Sequence, residues 1–157
     1  MTRILFVCTG NVFRSLTAEY ALKKQLEGVD GFHVSSAGTR EVPHLKVRED
    51  VADYLLHKGL DVSPHQRTLV TADLMEQTDM VVAMNTDHQE ILHQRHGVSV
   101  PLYMEACGKG PLPLLDVDDL FTPDEFYTPA CIRHIHQIID EIVEAAPALS
   151  ARLTAER

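Results

Sequence analysis

Ile4-Leu5-Phe6-Val7, then Cys8-Thr9-Gly10-Asn11-Val12-Phe13-Arg14-Ser15, then a helix-period stretch over residues 16–25: this succession decides the fold. Four consecutive apolar residues without alternation read as a strand covered on both faces, which is the habit of parallel sheets. Gly10 and Asn11 are the residue types that best tolerate positive φ, so they mark a tight turn. Working outward, residues 2–7, 33–36, 79–84 and 98–103 are strand candidates. Helices are predicted over 16–26, 47–58, 72–77, 86–94 and from about 128 to 146, where Ile132, Ile135, Ile138, Ile139 and Ile142 form an apolar stripe behind a Thr128-Pro129 start. Strands alternating with helices predict an α/β domain, a four-stranded parallel sheet with helices on both faces. The domain is expected to span residues 1–147, with 148–157 a polar C-terminal tail.

The turn has its own chemistry. Backbone N–H groups of a tight loop that opens a helix point inward, and the positive end of the helix dipole adds to them, so the loop can encircle a tetrahedral oxyanion. The same field favours thiolate over thiol at Cys8. Arg14 offers a planar fork to two oxygens of that anion, and Ser15 can donate a hydrogen bond to sulfur. A cation at a helix N-terminus is disfavoured by the dipole unless an anion sits there, so Arg14 itself argues for a bound oxyanion. Open α/β sheets bind ligands at the carboxyl ends of their strands, where this loop falls.

Bulk properties narrow the partners. The 157 residues carry a formal charge of −9, which argues against nucleic acid or an anionic membrane, since both need a basic face. No apolar stretch approaches the ~20 residues of a membrane span, and the first residues read as a strand rather than a leader, so a cytoplasmic protein is expected. Cys8, Cys107 and Cys131 are too few and scattered for a disulfide framework. Among nine histidines, His88, His93 and His96 lie on or near one helix and His134 and His136 on another, without metal-ligand spacing; they read as solvated surface groups, and no metal is expected.

The string from Val7 to Ser15, with Thr17-Ala18-Glu19 after it, resembles the signature loop of the low-molecular-weight protein tyrosine phosphatases, a superfamily that includes thioredoxin-coupled arsenate reductases. Ser36-Ala37-Gly38-Thr39, His65 and Asp79-Met80-Val81-Val82-Ala83-Met84 fit the same pattern, as does the cluster Asp116, Asp118, Asp119. The resemblance implies a flavodoxin-like three-layer sandwich and hydrolysis of a phosphomonoester without cofactor. The substrate it implies is phosphotyrosine on protein or a small aryl phosphate. Cys8 would be the nucleophile, Arg14 the phosphoryl clamp, and Thr9, Gly10, Asn11, Val12, Phe13, Arg14 and Ser15 the phosphate loop. Asn11, Ser15 and His65 would support it, although His65 also reads as a turn residue after Ser63-Pro64.

The family presents its general acid as Asp-Pro followed by an aromatic. Aligning Phe121 with that aromatic makes Asp119 the acid, with Leu120 in place of proline; Asp118 is the competitor and Asp116 the weaker one. Phe13 stands where relatives often carry a second cysteine. Val12 leans toward aryl phosphate, because members preferring phosphoarginine often carry threonine there. Arsenate reduction would need a relay pair of cysteines after the third strand, and residues 84–90 contain none. A phosphate-binding module without efficient turnover is the alternative from another class. Residues 43–46 and 121–127 are predicted to rim the pocket.

Overall fold

The computed structural model describes residues 1–156. Three parallel strands, β1 (Thr2–Cys8), β2 (Phe32–Gly38) and β3 (Met80–Ala83), form a sheet in the order β2-β1-β3. Thr2 to Cys8 pair with Phe32 to Gly38 on one side of β1, and Ile4 to Val7 pair with Met80 to Ala83 on the other. Parallel neighbours need crossovers, and helices supply them. The helices are α1 (Arg14–Gln25), α2 (Glu49–His57), α3 (Ala72–Glu76), α4 (Thr86–His96), α5 (Tyr103–Ala106), α6 (Val117–Leu120) and α7 (Pro129–Ala155).

The period of two along β1 sorts its side chains into two cores. Ile4, Phe6 and Cys8 belong to the larger one with Leu16 and Leu22 of α1, Leu55 of α2, and Ile135, Ile139 and Ile142 of α7. Leu5 and Val7 belong to a second with Leu92 of α4, against which Leu74 and Met75 of α3 pack. Helices thus cover both faces, as the unbroken apolar run requires. Each fully buried aliphatic side chain contributes roughly 1.5–3 kcal/mol of transfer free energy.

The expected fourth strand is absent: over residues 98–103 only one parallel bridge forms, Ala83 to Leu102, beside a 2.9 Å bond from the Ala83 N–H to the Pro101 carbonyl. Pro101 has no N–H with which to extend a ladder, and the chain enters α5 at Tyr103. A second correction concerns the C-terminus. Rather than ending near Ala146 in a frayed tail, α7 runs through Pro147 to Ala155 and buries Leu149 and Leu153. Pro147 lies on the exposed side, where water can replace the hydrogen bond a helical proline forfeits. Thr128 caps α7 as expected, accepting the Cys131 N–H at 3.4 Å.

Candidate active site

Cys8 ends the central strand, and its loop enters α1 with Phe13 at the N-cap. Phe13 provides no side-chain cap and the first turn holds no acid, so the positive end of the helix is left open toward the loop. The turn closes through Asn11, which sits at φ 57 and is almost fully buried. Its amide satisfies three groups. Nδ2 donates to Ser15 Oγ at 2.9 Å and to Ser36 Oγ at 2.8 Å, and Oδ1 accepts the Thr68 N–H at 2.9 Å.

These bonds fix the direction of the next one. Ser36 Oγ donates to Glu19 Oε1 at 2.5 Å and accepts from Asn11. Ser15 Oγ likewise accepts from Asn11, which leaves its single proton for Cys8 Sγ, 2.9 Å away. The relay from buried Glu19 to Ser36, Asn11 and Ser15 therefore ends with a hydroxyl donating to sulfur. His65 Nε2 lies 2.7 Å from the Asn11 carbonyl and must donate to it. It thus touches the loop backbone, and not the Asn11 amide or Ser15.

Arg14 is 2% exposed. Nη1 donates to the Leu114 carbonyl at 2.9 Å and Nη2 lies 3.2 Å from Asp116 Oδ2. Its Nε–H is buried and has no protein acceptor. A guanidinium held on two sides thus keeps one buried donor without an acceptor.

The acid loop departs from the sequence expectation. Asp116 is the N-cap of α6 and Asp119 its third residue. Asp116 Oδ1 accepts the Val117 N–H at 2.8 Å, and Asp119 Oδ2 accepts the Asp116 N–H at 2.7 Å. This capping box occupies the Asp119 carboxylate. Asp116 and Asp118 line the cavity; Asp119 does not. The carboxyl of Asp118 is raised above the usual aspartate range, first by partial desolvation at the cavity mouth and then by the negative charges of Asp116 and Asp119, against Arg40 and Arg14.

Two residues that sequence reasoning missed hold the loop from outside. Arg67 Nε donates to the Gly10 carbonyl at 3.1 Å, while Nη1 donates to Val42 and Leu45 carbonyls at 2.9 and 3.3 Å, tying the loop to the pocket rim. His88 was expected to be solvated, yet it is fully buried. Its Nδ1 accepts the Asn85 N–H at 3.1 Å, so Nε2 carries the proton and donates to Thr9 Oγ1 at 2.9 Å. Burial, then the Arg14 charge, push its pKa down to about 3. The signal available in sequence was position: a histidine three residues after an N-cap asparagine can reach back as a capping-box partner.

The cavity beside Cys8 measures about 360 Å³. Thr9, Gly10 and Arg14 form its floor side with the sulfur, and Val12, Phe13, Leu45, Phe126 and Tyr127 give it apolar walls. Leu45 and Lys46 from the predicted 43–46 rim and Phe126 and Tyr127 from the predicted 121–127 rim reach it, whereas Phe121 does not line it. Among the described residues, no three His, Cys, Asp or Glu side chains group as metal ligands. Among the same residues no helix is long and apolar enough to cross a membrane.

A parallel sheet thus carries a cysteine, an arginine and an uncapped helix start at one carboxyl edge. The profile described as low molecular weight phosphotyrosine protein phosphatase matches residues 3–157, and the chain belongs to this family. The protein-arginine-phosphatase of Bacillus subtilis (strain 168) is 36% identical over 96 residues, 60% of this chain and 63% of that protein. The low molecular weight protein-tyrosine-phosphatase Etp of Escherichia coli (strain K12) is 34% identical over 85 residues, 54% of this chain and 55% of its own. These matches thus span less than two thirds of the relatives' lengths. In structure, a YwlE arginine phosphatase mutant with a phosphorylated active-site serine superposes with a TM-score of 0.83 at 28% identity, covering 99% of this chain and 98% of that one.

Proposed function

We propose that this chain hydrolyses phosphomonoesters through a cysteinyl-phosphate, with phosphotyrosine on protein as the principal substrate. The observation that carries this reading is that Arg14, which keeps a buried Nε–H without a protein acceptor, lines the same cavity as Cys8. A phosphoryl oxygen supplies the missing acceptor.

In the first step the Cys8 thiolate attacks phosphorus in line. The P–O bond to the leaving alcohol or phenol breaks, and its oxygen takes a proton from Asp118. Loop amides and the Arg14 guanidinium hold the equatorial oxygens throughout. In the second step the Asp118 carboxylate takes a proton from water as that water attacks the S–P bond, releasing inorganic phosphate and restoring thiolate. Asp118 is assigned this role in preference to the expected Asp119 because Asp118 borders the cavity with a raised carboxyl pKa, whereas Asp119 is spent on capping α6. The walls formed by Val12, Phe13, Phe126 and Tyr127 suit an aryl ring.

A phosphoarginine substrate is the second reading. It is favoured by the two carboxylates, Asp116 and Asp118, on the cavity wall, which suit a guanidinium leaving group, and by the relatives named as arginine phosphatases. Arsenate reduction is disfavoured, since Cys8 is the one cysteine that lines the cavity.

The test is hydrolysis of para-nitrophenyl phosphate, phosphotyrosine peptide and phosphoarginine peptide by wild type, Cys8→Ser, Asp118→Ala and Asp119→Ala. Loss of all activity in Cys8→Ser, with a deep fall in Asp118→Ala and a shallow one in Asp119→Ala, is the expected pattern. Wild type no faster than Cys8→Ser, with phosphate still bound, would leave a binding module without turnover.

A further inference from the structure

Asp116 occupies an unusual place. One of its carboxylate oxygens, Oδ2, lies against Arg14 Nη2 at 3.2 Å, and the other, Oδ1, accepts the Val117 N–H at 2.8 Å and so starts α6. The residue two positions before it, Leu114, gives its carbonyl to Arg14 Nη1 at 2.9 Å. The residue between them, Leu115, gives its carbonyl to His134 of α7, whose Nε2 lies 2.9 Å away and must donate. Three successive residues therefore hold the guanidinium on one side and anchor to the long helix on the other, and two residues later the same segment carries Asp118.

Resting on the reading of the site as a phosphatase, we propose that Asp116 is a positioning residue that sets the phosphoryl clamp and the proton donor in register, rather than the acid. Through Oδ2 it pairs with Nη2 and so restrains the Arg14 guanidinium, whose buried Nε–H has no protein acceptor. Through Oδ1 it fixes the first turn of α6, hence the place of Asp118 at the cavity mouth. A single carboxylate thus links the group that binds the equatorial oxygens to the group that serves the leaving oxygen. A shift in one is transmitted to the other through an ion pair and a hydrogen bond instead of through loose chain.

Charge and geometry predict opposite signs, which makes the idea testable. By Coulomb's law alone, removing a carboxylate 3.2 Å from Arg14 strengthens the local positive potential and tightens anion binding. Loss of the Arg14 orientation weakens it. Asp116→Ser retains an N-cap hydroxyl but cannot reach Arg14, and Asp116→Asn retains shape and cap without the charge. The charges that act on Asp118 are those of Asp116, Asp119, Arg40 and Arg14, and the charge of Asp116 also acts on the buried neutral His88 of α4.

The experiment is titration of inorganic phosphate by calorimetry in the Cys8→Ser background, with and without Asp116→Ser, plus kcat against pH for wild type and Asp116→Asn. We expect phosphate affinity about tenfold weaker in Asp116→Ser, the scale of one lost charge-assisted hydrogen bond. We also expect the alkaline limb of kcat to move to lower pH in Asp116→Asn, because Asp118 loses a like charge. Phosphate bound equally or more tightly by the Asp116→Ser protein, or an alkaline limb unmoved in Asp116→Asn, overturns the proposal. The calorimetric arm needs no turnover, so it decides the role of Asp116 even if the hydrolytic reading fails, and a Cys8→Ser protein that binds phosphate but a wild type that does not hydrolyse esters would sink that reading alone.

Discussion

His88 Nε2 lies 2.9 Å from Thr9 Oγ1, and the opposite ring nitrogen accepts the Asn85 N–H. The imidazole thereby bridges the start of α4 to the residue after Cys8, and it can do so only when neutral, because protonated Nδ1 would face another donor. The pH dependence follows. With a folded pKa of about 3 and an ordinary value of 6.5, the unfolded chain binds the extra proton first, so stability falls as pH drops from near 6.5 toward 3. Between pH 7 and 5 this one group should remove about 2 kcal/mol by linkage. Urea unfolding of wild type and His88→Gln at both pH values checks it: the variant is less stable at pH 7 but loses less on acidification. An equal loss in both proteins would show that His88 does not carry the effect.

Arg14→Lys should cut kcat/KM by a factor on the order of 10³ while leaving the far-ultraviolet circular dichroism unchanged, since an ammonium cannot reach Leu114, Asp116 and the oxyanion together. Vanadate inhibition should weaken in step. Retained vanadate affinity would mean that the loop amides alone bind the anion.

Gly38 pairs with Cys8 in the sheet, and a Cβ there would meet the Thr9 carbonyl at 2.5 Å. That carbonyl belongs to the phosphate loop backbone and cannot yield without deforming it. Gly38→Ala should lower stability by roughly 1–3 kcal/mol, as overpacking does, and weaken phosphate binding as well. Gly28→Ala, with a φ of +77 but nothing within 4 Å, is the control. It should cost roughly 1–2 kcal/mol of left-handed strain and leave phosphate affinity intact, measured by thermal unfolding and calorimetry side by side.

Asp118 keeps its proton to higher pH than an ordinary aspartate, so the alkaline limb of kcat should lie above the usual carboxylate range. Asp119→Asn removes one of the like charges that raise it and should shift that limb downward, while kcat at acid pH changes little. Asp118→Asn should abolish the limb and lower kcat by about 10²–10⁴ for poor leaving groups. Comparing para-nitrophenyl phosphate with phenyl phosphate in each variant separates proton donation from loop stability.

Deleting residues 148–157 removes the buried side chains of Leu149 and Leu153 and the bond from Arg152 Nη1 to the Ala106 carbonyl at 2.8 Å. A loss of roughly 3–6 kcal/mol is expected from the two leucines, read as a lower urea midpoint. Turnover per folded molecule should stay near that of the full chain, because this end of α7 is remote in sequence from the helix turn that borders the cavity.

What sequence made legible was whatever is local. Residues 4–25 hold a strand, a turn and a helix whose side chains act on one another over a few positions, so Cys8, Arg14, Ser15 and Asn11 could be read directly. The roles of Arg67 and His88 depend on chain segments brought alongside the loop from 57 and 79 residues away, and no pattern within either segment announces that meeting. Asp119 is read in two ways for a different reason. Alignment to an aromatic gives it the position of the acid, while Asp116-Val117-Asp118-Asp119 also spells a capping box, which the structure forms. The helix past Pro147 was missed because proline's cost depends on which face it occupies, and that face is decided by tertiary packing.

The left-handed Asn11 has one more consequence. Its amide bonds to Ser15, Ser36 and Thr68 shape the loop before any ligand arrives, so the cradle is bought with folding energy and not with binding energy. A mould that is already set fits the tetrahedral anion whether or not an ester is attached. Free orthophosphate, the product of the proposed reaction, should therefore occupy it almost as readily as the ester, and the ambient phosphate level would act as a brake on the rate of that hydrolysis.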